Sequence, residues 1–79
     1  MRYAVIIESG PNNYSAYVPD LPGCVAVGDT LEETKSEIRD AIRFHIKMMK
    51  ADGLEVPEPT SCAENVEVGK AMEMSAVSP

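Results

Sequence analysis

Fifteen consecutive residues constrain this chain more than any other part of it: Pro19-Asp20-Leu21-Pro22-Gly23-Cys24-Val25-Ala26-Val27-Gly28-Asp29-Thr30-Leu31-Glu32-Glu33. Pro19, Pro22 and Gly23 punctuate a turn. Cys24 to Val27 is a short apolar run of the kind that forms a buried strand. A second turn follows, and Thr30 with Glu33 makes a capping box. In that box the Thr30 hydroxyl accepts from the N–H of Glu33, and the Glu33 carboxylate reaches back to the N–H of Thr30. A strand that feeds so directly into a capped helix belongs to a small sheet with one helix laid across it.

The flanking sequence supplies the rest of such a sheet. Arg2 to Glu8 is apolar on both alternating faces, with Tyr3, Val5 and Ile7 on one and Ala4 and Ile6 on the other. That pattern predicts a central strand covered on both sides. Ser9 to Asn13 is a hairpin loop, and Tyr14 to Val18 is a second strand. Short connections make the three strands an antiparallel meander.

The helix is expected from about Leu31 to Ala51, ended by Asp52-Gly53. At 100° per residue, Leu31, Thr34, Ile38, Ala41, Ile42, His45 and Met49 form the stripe that packs on the sheet. Acids crowd its first half (Glu32, Glu33, Glu37, Asp40) and bases its second (Arg43, Lys47, Lys50), which suits the helix dipole. Phe44 and Met48 lie off the core stripe. Pro57 and Pro59 exclude helix from Leu54 to Thr60 and predict a stiff strap. Glu64 to Val68 reads as a fourth strand, parallel to one of the first three. The fold class is therefore α+β in the order β-β-β-α-β, with one domain over 1–70 and a tail over 71–79.

A chain of 79 residues has room for one core. Domains this small bury only about 60% of their unfolded surface, so association with other chains is expected to add stability. The segment after Met1 is too short for a signal-peptide core and is ended by Glu8, which predicts a cytoplasmic protein with Cys24 and Cys62 as free thiols. Nowhere do about 18 apolar residues run together, so no membrane span is expected. The net charge of −6 argues against electrostatic capture of nucleic acid and suits a basic partner.

Catalytic chemistry is thinly represented. The single His45 has no ligand partners at zinc spacing, and there is no glycine-rich phosphate loop. Glu8, Asp20 and Asp29 fall at strand ends, where carboxylates could gather a divalent metal for phosphodiester hydrolysis. Glu8 and Asp20 are expected to share an edge, with Asp29 at the far end. Each also has a turn or capping use, so no catalytic, metal or cofactor site is predicted, and the metal nuclease stands as the third reading.

Four stretches together carry a resemblance: Asp20-Leu21-Pro22-Gly23-Cys24, Gly28-Asp29-Thr30-Leu31-Glu32-Glu33, Ala41-Ile42-Arg43-Phe44-His45-Ile46, and Asp52-Gly53-Leu54-Glu55-Val56-Pro57-Glu58-Pro59. In order and spacing, over about residues 1 to 68, the chain resembles the HicB antitoxins. The resemblance implies a partial ribonuclease-H-like domain with its fourth strand beside the first. It also implies a role: binding and silencing a small basic ribonuclease toxin, HicA. Members usually carry a C-terminal helix-turn-helix or ribbon-helix-helix module. Ala71 to Pro79 is too short for either, so direct DNA binding is not expected.

Two surfaces follow as candidates. For the toxin, Tyr14 or Tyr17 and Leu21 would be anchors, with Asp20 and Asp29 as a charged rim. For a homodimer or dimer of dimers, the candidates are the strand edge holding Cys24, Val25 and Val27 and the helix face holding Phe44 and Met48. The alternative to the antitoxin is a HicB-like interaction domain with another protein partner.

Overall fold

The computed structural model describes residues 1–69. Three strands, β1 (Ile6–Ser9), β2 (Tyr14–Tyr17) and β3 (Val25–Gly28), precede one helix, α1 (Leu31–Ala51). Both strand pairs are antiparallel and the order is β1-β2-β3. The meander and the helix stand where the sequence places them. The expected tail over 71–79 lies outside the described residues.

The order corrects one expectation. β2 is the central strand and β1 an edge, although β1 is apolar on both faces. Its inner side, with Ile7 and the preceding Val5, is half-buried against the core. Its outer face carries Ile6, level with Tyr17 and Val25, and no element of the described chain covers that row. Double-sided apolarity here marks an uncovered face, not a central position.

Two local devices set the helix on the sheet. Thr30 is the N-cap, its hydroxyl accepting from the Glu33 N–H at 3.0 Å. The returning Glu33 carboxylate takes the N–H of Asp29 at 3.1 Å, one residue before the expected donor. At the other end, the Leu54 N–H donates to Met49 C=O and the Gly53 N–H to Lys50 C=O, a Schellman closure with Gly53 at φ 75°. α1 then lies over β2 and β3, and Thr34 and Ile38 are its buried residues.

The core is Ala16, Val18, Leu21, Cys24 and Ile38. Leu21 enters it because the β2–β3 turn folds back on itself. The Leu21 N–H donates to Val18 C=O, and the Cys24 N–H to Leu21 C=O.

Residues 64–68 form no strand with β1–β3, which corrects the expected fourth strand. Val66 and Val68 stand 78% and 67% exposed. Alternation over five residues promises a strand only if an edge is within reach, and the strap takes this segment elsewhere.

Candidate surface for a protein partner

The strap after α1 is fastened at two points on the same end of the sheet. The Tyr3 hydroxyl donates to Pro57 C=O. The Asp20 carboxylate then accepts four hydrogen bonds. Its Oδ2 takes the N–H groups of Thr60 (2.9 Å) and Ser61 (2.8 Å), and its Oδ1 takes their hydroxyls (3.1 and 2.8 Å). The bonds from Ser61, backbone first, hold the Asp20 carboxyl below the usual carboxylate range. The Tyr3 phenol is pushed up by burial, then by the charges of Glu58 and Asp20. Asp20 thus has a structural occupation that the sequence does not announce, since its partners lie 40 and 41 residues away.

The candidate residues divide among four places. Tyr17, Val25 and Val27 come together on the uncovered outer face, 43%, 65% and 61% exposed. Tyr14 points to the opposite face, that of Ala16, and is half-buried. Leu21 and Cys24 are in the core, which removes Leu21 as a surface anchor and Cys24 as a contact between chains in the folded protein. The regular alternation of β3 explains Cys24: Val25 and Val27 face out, so Cys24 and Ala26 face in. Burial also pushes the Cys24 thiol up. Phe44 and Met48, 64% and 45% exposed, lie one turn apart on α1.

The carboxylates separate as well. Glu8 is level with Ser15 and Val27, so Glu8 and Asp29 are at the hairpin end, while Asp20 is at the other. The expected pairing of Glu8 with Asp20 is therefore reversed. Among the described residues no three His, Cys, Asp or Glu side chains gather in a metal-binding group. No helix of the described chain is long and apolar enough to cross a membrane.

What remains as a built surface is the outer sheet face. Ile6, Tyr17 and Val25 form one cross-strand row, and Glu8, Ser15 and Val27 the next, with exposed Asp29 beyond. An aromatic and aliphatic centre with carboxylates at one end has the make-up of a protein contact. The sequence signal was available in the outward alternation of Ile6, Tyr17, Val25 and Val27. Ile6 escapes that signal because a strand apolar on both faces reads as covered on both sides.

Residues 3–75 match the family described as the HicB-like antitoxin of bacterial toxin–antitoxin systems. The 14.9 kDa protein of the rep–hol intergenic region of Haemophilus phage HP1 is 43% identical over 58 residues, 73% of this chain and 44% of the phage protein. Antitoxin HicB 2 of Photorhabdus laumondii is 31% identical over 64 residues, 81% of this chain and 46% of that protein. The chain thus spans less than half the length of either. Among solved structures, a chain of the HicA3 and HicB3 toxin–antitoxin complex superposes with a TM-score of 0.66 at 25% identity, covering 75% of this chain and 70% of that one. By its profile over nearly its whole length, this chain belongs to the HicB-like antitoxin family of bacterial toxin–antitoxin systems.

Proposed function

We propose that this chain neutralises a small basic ribonuclease toxin of the HicA type by covering the surface that binds and cuts RNA. The observation that carries the proposal is the likeness to a chain of the HicA3–HicB3 complex, in which toxin and antitoxin are assembled. The physical support is the outer sheet face. Tyr17 and the valines provide exposed apolar anchor area that a bound partner would desolvate, and Glu8 and Asp29 would face the bases that such a toxin needs for RNA. The net charge of −6 steers a basic partner toward it. The chain acts by occupancy, without chemistry of its own.

The test is co-expression with the adjacent reading frame. Growth arrested by the neighbour alone is restored by this chain, and the two co-elute in gel filtration at low salt. A folded chain that neither restores growth nor binds the neighbour overturns the proposal in favour of a HicB-like domain serving another protein.

A further inference from the structure

The side of α1 nearest β1 is left open. The helix packs most closely on β2 and β3, and its backbone makes no such close approach to β1. Between them is a groove of about 370 Å³, floored by Val5, Ile7, Ile38 and Ile42 and edged by Lys35 and Arg39. Past Arg39 and Ile42 it continues to Tyr3 and Arg43. Along the groove β1 offers an edge that no other described residue pairs, because β2, its one partner among the described residues, is on the other side. The groove is thus apolar, basic at its rim and bordered by free strand hydrogen-bonding groups, on a chain whose net charge is −6.

We propose that this groove receives the segment Glu64–Val68 of a second copy of this chain, added as a strand to the edge of β1, in a reciprocal strand-exchanged dimer.

Three observations carry it. The first is chemistry. Residues 54–69 contain Glu55, Glu58, Glu64 and Glu67 and no Lys or Arg, so the segment complements the basic rim. In an extended strand Glu64, Val66 and Val68 share one face. With the valines on the apolar floor, Glu64 meets Arg43 if the strand runs parallel to β1, and Lys35 if it runs antiparallel. The rim bases have little to give up. Among the described residues Lys35 and Arg43 each reach only an exposed acid of their own helix at 3.9 Å, and Arg39 has no ion pair.

The second is exposure. Val66 and Val68 are among the most exposed apolar residues of the described chain and pair with no strand of it. Added strands take affinity from backbone hydrogen bonds and specificity from alternate side chains. This segment has both to offer.

The third is the path of the chain. The strap is bonded first to Tyr3, which extends β1, and then to Asp20, in the turn between β2 and β3. It therefore travels across the sheet end, away from the free edge of β1. Only Cys62 and Ala63 separate the Ser61 anchor from Glu64. To reach its own groove the chain would have to reverse at once and recross two strands, about 10 Å. A neighbouring copy asks for no such reversal, and two-fold symmetry fills both grooves together.

Light scattering or sedimentation at tens of micromolar, on the full chain, should give a dimer. The double substitution Val66→Asp, Val68→Asp changes only exposed positions and should give a monomer with an unchanged circular dichroism spectrum. Reversing the rim with Arg39→Glu and Arg43→Glu, also at exposed positions, should do the same. Mixing the two monomeric variants is decisive. The valine variant has an intact groove and the rim variant an intact strand, so one exchange can form, and dimer mass should return in part. A monomeric native chain, a dimer that survives the valine substitutions, or a mixture that stays monomeric would each overturn the proposal. None of these results depends on a toxin.

Discussion

Gly28 stands against Thr34 so closely that a Cβ on it would lie 2.6 Å from the Thr34 Oγ1 and 2.8 Å from the Thr34 N. The last residue of β3 and the first buried position of α1 are therefore in backbone contact. The Thr34 hydroxyl is tied as well, donating to Thr30 C=O at 2.8 Å, and cannot swing away without losing that bond. Gly28→Ala should lower stability by about 1–3 kcal/mol, the usual cost of overfilling a packed site. Urea unfolding measures it, and an unchanged midpoint would show that the helix can shift freely.

The Asp20 carboxylate should make the strap sensitive to acid. Its folded-state pKa is lowered, so the charged form is favoured by the fold. The stabilisation is complete above the ordinary carboxylate value of 3.8 and is lost as pH falls through the lower folded value. Amide exchange at Thr60 and Ser61 should speed up at that pH. Asp20→Asn should release both amides at neutral pH, leaving those of β2 protected. Equal protection of Thr60 and Ser61 in the variant would contradict the anchoring role.

The two thiols should react at different rates. Cys62 is exposed and Cys24 buried, with its thiol pushed up by desolvation. A thiol reagent at neutral pH should modify one cysteine promptly and the second only in denaturant. Mass mapping that found Cys24 modified in the native chain would mean that the core opens readily.

On the outer sheet face, Tyr17→Glu and Val25→Lys should cost toxin binding and little stability. Both side chains are substantially exposed, and truncated anchors in interfaces cost roughly 2 kcal/mol or more, a loss of about 30-fold in affinity. Leu21→Ala is the contrasting substitution. It should destabilise the fold by about 2–5 kcal/mol because Leu21 is fully buried. Titration calorimetry beside thermal melting separates the two effects. A Tyr17→Glu chain that binds normally would remove this face from the proposed interface.

Operator DNA should not be bound specifically by these 79 residues. Arg39, Arg43 and Lys47 are exposed on α1, but the same helix carries exposed Glu32, Glu33, Glu37 and Asp40. A mobility shift should show only weak, salt-sensitive association, and sequence-dependent nanomolar binding would be the contrary result.

The sequence by itself determined the pieces and their order. Thr30 with Glu33 and Gly53 with Leu54 bounded the helix because capping is decided by residues within a turn of one another. The short loops fixed the antiparallel meander for the same reason, and the four quoted stretches were enough to point to the family. Tertiary structure decided what those pieces face. Alternation put Ile6 and Ile7 on opposite sides of β1, but only the placement of α1 over β2 and β3 left the Ile6 row bare and a groove beside Ile7. Leu21, read as a surface anchor, is turned inward by three backbone hydrogen bonds around its turn. Asp20 became a clamp because Thr60 and Ser61 arrive from 40 and 41 residues away. Local propensity is an energy of neighbours in the chain. Burial, edges and long-range bonds are energies of neighbours in space, and they exist only once the whole domain has closed.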